Sequence, residues 1–305
     1  MKIHLPVFLS IVCFSVFFCK KSEAQLSGTY TINVYSSTSG RNFQTFNDFI
    51  NALNTQGISG AVVANVANGS GPYNEQVILE PFSGMSSTNT VTINGNGEVL
   101  TYSTIGIADH RVVGFNDSAQ YFILDNIKIT TNNGIGVAFS DYANNNIVKN
   151  CTIEIRSPAS SYKGYGVAFS DCKQSIFSCN YPSNASNNVI ENNVIKGLNN
   201  GGSEFGIYLN SSNSSGLASN NVIRNNTITG FLKIGIYSVG QNNLSISNND
   251  ISRPIRSTPI ATIGISIDHY GKDSLSNLVI DGNKIHDLHG GELLRTSYPA
   301  TGISI

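Results

Sequence analysis

Two eleven-residue stretches, NNVIENNVIKG from Asn187 to Gly197 and NNVIRNNTITG from Asn220 to Gly230, stand thirty-three positions apart and differ chiefly at Glu191 against Arg224. With the last Ile of each as reference, related segments end at Ile129, Ile153, Ile195, Ile228, Ile251 and Ile285. Five residues before each stands an aliphatic: Leu124, Val148, Ile190, Ile223, Ile246 and Ile280. Eight residues before the last five stands an asparagine: Asn145, Asn187, Asn220, Asn243 and Asn277. A second signal interleaves with the first, a glycine followed by Val or Ile, at Gly136, Gly166, Gly206, Gly235, Gly264 and Gly302, spaced 30, 40, 29, 29 and 38 residues apart. A constant strand register with variable spacing describes one supersecondary unit copied many times, its insertions confined to loops.

Each unit holds at least two short β-rich runs separated by Asn, Ser and Gly, with no helix-period run between them. Such a unit cannot bury an apolar face alone. Coiled once and stacked on its neighbours, with like residues about 4.8 Å apart, it can. The sequence therefore predicts an all-β fold, a parallel β-helix. The pairs Asn192-Asn193, Asn225-Asn226 and Asn248-Asn249 fall where the chain must bend, because Asn tolerates the left-handed backbone better than most residues. In register, their amides bond to the identical amide above and below. Four positions before the reference Ile stand Asp125, Lys149, Glu191, Arg224, Ser247 and Asp281, the first four alternating in sign. Opposite charges facing across paired strands favour the register. Glu191 and Arg224 then answer each other from neighbouring coils, in a solvated ladder worth under about 1 kcal/mol per pair.

The chain before the repeat has another character. NFQTFNDFINAL (42–53) places Phe43, Phe46, Phe49, Ile50 and Leu53 at helical spacing, an amphipathic stretch. AVVANVA (61–67), EQVILE (75–80), NTVTING (89–95) and EVLTYS (98–103) read as strands. A short helix over the open end of a β-helix hides the apolar core of the first coil and blocks edge pairing. Met1 to Ala24 reads as an export signal, with Lys2 as the basic start, Leu5–Phe18 as an apolar run, and Ser22-Glu23-Ala24 for cleavage before Gln25. The run is too short to span a bilayer, so the mature chain is expected to be secreted or displayed on the outer cell surface, without a transmembrane segment. Lipid attachment at Cys19 in CKKS is the alternative, opposed by the bulky Phe18 before it. The expected organisation is a signal at 1–24, an N-terminal cap and first strands at 25–110, and repeat coils at 111–305. The chain stops at Ile305 one strand into a new coil, which reads as truncation.

These features resemble the right-handed parallel β-helix, or pectin-lyase-like, superfamily over about Thr29 to Ile305. FQTFNDFINAL followed by GAVVANVANGSGPYNEQVILE resembles the helix, first strand and Y-x-E strand that open pectin methylesterase-type β-helices. The chain is also similar to the Asn- and Ser-rich secreted β-helix proteins of Gram-negative bacteria. The resemblance implies the fold, while this fold carries lyases, hydrolases, esterases, adhesins and phage tailspikes. The catalytic motifs do not carry over. The Q-D-T-L and D-F-I-F-G stretches of the methylesterases are absent, as are the N-T-D, D-D, G-H-G and R-I-K motifs of the polygalacturonases. Ile267-Asp268-His269 echoes the W-I-D-H calcium-site strand of pectate lyases, in a chain that has no Trp.

Several constellations can still carry chemistry. Asp141 and Asp171 each lie five residues after a repeat glycine in near-identical strands. Two carboxylates about 5 Å apart repel unless one is protonated or a cation sits between them. Three readings stay open: turn caps facing water, a Ca²⁺ site, or the acid and base of a polysaccharide-cleaving enzyme. Asp268 and His269 fall in a similar register further along, with Lys163 or Lys233 as a base within reach. His286, Asp287, His289 and Glu292 read as surface loop chemistry, His-x-x-His in a loop being a poor zinc signature. Tyr142, Tyr162, Tyr165, Tyr208, Tyr237 and Tyr270 recur near the second signal. Of these, Tyr208, Tyr237 and Tyr270 are the candidate carbohydrate contacts, since a ring with a hydroxyl suits a pyranose. Cys13 and Cys19 go with the signal, and of the remaining Cys151, Cys172 and Cys179 the local pair Cys172–Cys179 is the candidate disulfide.

A formal charge of −1 with 12% charged residues excludes recruitment of nucleic acid or an anionic membrane by bulk charge. The leading expectation is an exported β-helix that binds polysaccharide or another surface adhesively. A polysaccharide lyase or glycoside hydrolase acting on a uronic-acid type polymer is the alternative, and a structural stalk the third. Ca²⁺ is the one cofactor these residues suggest.

Overall fold

The computed structural model describes residues 24–103, 109–132, 134–156, 164–170, 182–198, 202–211, 216–255, 260–268, 276–289 and 298–305. One coil shows the rule for the rest. Phe122–Asp125 lies in a first sheet, Lys128–Asn132 in a second and Ile135–Phe139 in a third, and Ile147–Lys149 then returns to the first sheet beside Phe122–Asp125. Repetition builds a ten-stranded sheet from Asn42–Phe43 to Val279–Asp281, an eight-stranded sheet from Tyr73–Asn74 to Lys284–His286, and an eight-stranded sheet from Val77–Leu79 to Ala300–Ser304. Pairing within each is parallel and in register, as in Ile129↔Ile153↔Ile195↔Ile228↔Ile251↔Ile285. This is the expected parallel β-helix.

The turn from the first sheet to the second is made by Asn126, Asn150, Asn192, Asn225, Asn248 and Gly282, all at φ between 53° and 62°. The residue after each faces inward. Asn193, Asn226 and Asn249 are each 1% exposed, and each amide Nδ2 donates to the next coil's Oδ1: 3.0 Å to Asn226, 3.0 Å to Asn249 and 2.9 Å to Asn283. A second ladder runs outside the coil through Asn187, Asn220, Asn243 and Asn277, with amide contacts of 2.8–3.0 Å. These four also adopt positive φ, so bend and ladder are the work of the same residues.

The two sequence signals are two sides of one contact. A Cβ placed on Gly136, Gly166, Gly206, Gly235 or Gly264 would lie 2.3–2.5 Å from Cγ2 of Ile153, Ile195, Ile228, Ile251 or Ile285 of the following coil. Glycine is what lets the third sheet close onto the reference isoleucines. Inside the coil Phe115, Phe139 and Phe169 stack at 4.5 and 4.4 Å, within a core that includes Leu26 at one end and Leu288 at the other. On the outer face of the first sheet Lys149 pairs with Asp125 at 3.3 Å and Arg224 with Glu191 at 2.6 Å, the alternation expected of the register.

The capping helix spans Phe46–Gln56, starting three residues later than the apolar spacing, which begins at Phe43. Asn42–Phe43 instead extends the first sheet by pairing with Thr31 and Ile32. Thr45 is the N-cap, its hydroxyl accepting from Asp48 N. Glu75 reaches the same helix end, its carboxylate accepting from Phe46 N at 3.1 Å and Asn47 N at 3.0 Å. The acid of the Y-x-E stretch is therefore a helix clamp, and burial pushes its carboxyl above the usual range. Among the described residues no helix is long and apolar enough to cross a membrane.

Candidate functional site

Along the third sheet Val137 and Phe139 point into the core while Ala138, one residue between them, packs outside it with Ile135, Tyr165 and Ala168. The outward register continues Ala138↔Ala168↔Tyr208↔Tyr237↔Ser266. Small residues give way to rings as the stack advances. Tyr208 and Tyr237 are half-buried and lie nearly parallel, 5.3 Å apart with 12° between their planes. Phe205 joins them at 5.1 and 5.8 Å, and Tyr165 stacks on Phe205 at 5.5 Å. The Tyr237 hydroxyl donates to Asp268 Oδ2 at 2.8 Å, where exposed Asp268 ends the next strand. The product is an amphipathic strip of rings and phenolic hydroxyls closed by a carboxylate, the combination of apolar body and polar tip that suits a sugar.

Lys233 flanks this strip, its ammonium ion-paired with the 5%-exposed Glu204. Asp141 lies elsewhere, following the strand four coils back, so about 19 Å of stack separates it from Asp268 at the usual strand spacing. One Asp141 carboxylate oxygen accepts from Asn184 N at 3.0 Å, while Asn184 Oδ1 accepts from Tyr142 N at 3.1 Å, a clip between successive coils. The structure thus brings together Tyr208, Tyr237 and Asp268 and does not bring Asp141 to them. Asp171, His269, Tyr270 and the Cys172–Cys179 pair lie outside the described residues, as do Tyr162, Lys163, Glu292 and the export signal. Among the described residues, no three His, Cys, Asp or Glu side chains form a group that could hold a metal ion.

His286 sits between two carboxylates, Nδ1 at 2.7 Å from Asp287 and Nε2 at 2.8 Å from Asp250 on the neighbouring coil. Both contacts favour the protonated ring and raise its pKa above the usual histidine value. The sequence grouped His286 with Asp287 as surface loop chemistry, whereas His286 ends a strand and also meets Asp250, which comes from a different coil and was not signalled. Sequence reasoning also missed Phe205, whose signal is its register with Tyr165 across an insertion.

No family model matches this sequence, and no curated protein matches it. Among solved structures the chain is similar to an alginate lyase from Paenibacillus sp. str. FPU-7, at 15% identity and a TM-score of 0.46, over 91% of this chain and 99% of that one. It is also similar to the Dettilon tailspike protein, at 12% identity and a TM-score of 0.33, over 90% of this chain and 68% of that one. Its own backbone defines its class: among the described residues, successive coils run through three parallel sheets in turn, which makes it a parallel β-helix protein.

Proposed function

We propose that this chain is an exported, surface-displayed β-helix protein that binds polysaccharide, with the outer face of the third sheet as its contact surface. The observation that carries the reading is the Tyr208–Tyr237 stack ending on Asp268. Partly exposed rings cost water contact that the fold does not require, since Ala168 and Ala138 fill the same register one and two coils before Tyr208. A sugar ring laid on the strip would recover that apolar contact, and the phenolic hydroxyls and Asp268 would take its hydroxyl groups. The partly exposed rings lie on adjacent coils along the stack, an open strip that suits a polymer and adhesive display.

The test is retention of the mature chain on a panel of neutral and uronic-acid polysaccharides, with and without Ca²⁺, while new reducing or unsaturated ends are followed. Retention without cleavage is expected, and the Tyr208→Ala/Tyr237→Ala double variant should bind at least about tenfold more weakly. Cleavage that vanishes in Asp268→Asn would replace this reading with a lyase or hydrolase. Absence of retention on every polymer would leave the stalk.

A further inference from the structure

The second sheet carries a different surface. Its outward face holds a groove of about 290 Å³ floored by Thr101 and Thr130 and bordered by Lys128, Asn132, Glu154 and Arg156. Register builds it: Thr101 pairs with Thr130, Thr130 with Glu154, and Asn132 with Arg156, so three adjacent coils contribute. Glu154 is 13% exposed and central, with Lys128 Nζ at 3.1 Å and Lys196 Nζ of the next coil at 4.0 Å. Three cations around one carboxylate leave this patch net positive in a chain whose formal charge is −1. Among the described residues Arg156 has neither an ion-pair nor a hydrogen-bond partner, and it lines the groove in register with Asn132.

We infer that this groove binds one acidic residue of a polysaccharide, with the anion on Arg156 and the ring hydroxyls on Thr101, Thr130 and Glu154. The chemistry selects the class. A guanidinium fork recognises a planar or tetrahedral oxyanion through paired hydrogen bonds. Two threonine hydroxyls offer a polar floor that an apolar ligand would leave unsatisfied. Glu154 accepts from a hydroxyl and repels a second anion, so the ligand carries one charge beside neutral hydroxyls rather than a dense run of phosphates. A uronate carboxylate and a sugar sulfate ester share this chemistry. The groove stands on another sheet from the aromatic strip and does not depend on it.

Affinity electrophoresis of the full chain through gels containing polygalacturonate, a sulfated galactan or a neutral cellulose ether tests the inference. Retardation is expected in an acidic gel and not in the neutral one. Polygalacturonate alone identifies the carboxylate, and the sulfated galactan alone the ester. Arg156→Gln should weaken it at least about tenfold, the loss of one charge-assisted contact, and Thr130→Val should weaken it less. Lys284→Gln, at the far end of the same sheet with the same charge change, should bind as the parent does. A thermal melt establishes that each variant is folded. No retardation in either acidic gel, or an equal loss in Lys284→Gln, overturns the site.

Discussion

Asn226 ties three coils together. Its Oδ1 accepts from Asn193 N and Nδ2, both at 3.0 Å, and its Nδ2 donates to Ile190 O at 2.9 Å and Asn249 Oδ1 at 3.0 Å. Asn226→Leu would leave a buried N–H and a buried carbonyl without partners, each costing about 1–3 kcal/mol. The expected loss is about 2–5 kcal/mol, read from urea denaturation midpoints. Cys151 occupies the same ladder position one coil before Asn193; its Sγ lies 3.1 Å from Lys149 O and 3.8 Å from Leu124 O, the second matching the 2.9 Å contact of Asn193 Nδ2 with Val148 O. A thiol is doing an amide's job there. Burial pushes that thiol up to about 12, so it should react with Ellman's reagent only on unfolding, and Cys151→Asn should fold with undiminished stability. The Asn periodicity was legible in the sequence, whereas Cys151 reads there as one odd cysteine because its register, and not its chemistry, explains it.

Between elements, the strands Asp250–Ser252 and Lys284–His286 are joined by backbone register and by the His286–Asp250 contact. Asp287 and Asp250 hold the proton on His286 more tightly in the folded chain than in the unfolded one. A raised folded value means that this contribution is complete below the unfolded pKa of about 6.5 and is lost as pH rises through the higher folded value. Thermal stability should therefore fall across that window, and His286→Gln should flatten the fall. Identical pH profiles for both chains would exclude the linkage. The capping helix shows how an element boundary escapes periodicity: Phe43 has helical spacing yet pairs with Ile32, because extending the sheet edge satisfies backbone groups that a longer helix would leave at its end.

For the whole molecule, the stacking architecture predicts how damage spreads. A methyl on Gly206 would meet Ile228 Cγ2 at 2.3 Å and Gly235 O at 2.6 Å, the second being backbone that cannot rotate away. Gly206→Ala should cost about 2 kcal/mol or more, as overpacking does. Because each coil touches only its neighbours, that cost should stay local. Hydrogen exchange should quicken in Val194–Leu198, Phe205–Asn210 and Ile234–Val239 while the helix Phe46–Gln56 exchanges as before. A uniform rise along the chain would show a single cooperative unit instead.

The sequence by itself determined the solenoid, since a repeat with Ile, Asn and Gly at fixed offsets buries its apolar face only by stacking. It also determined which charges face each other, because Asp125, Lys149, Glu191 and Arg224 hold one offset and in-register stacking makes that offset a place. What it could not determine were meetings between residues at unlike offsets. Asp268 reaches Tyr237 from the next coil, Asp250 reaches His286, and Arg156 stands over a groove floored by Thr101 and Thr130. Each depends on loop lengths, rotamers and the distance between adjacent coils, which only the folded chain sets. Tertiary structure therefore decided the surfaces, because sites on a solenoid are built across coils while the repeat is written along them.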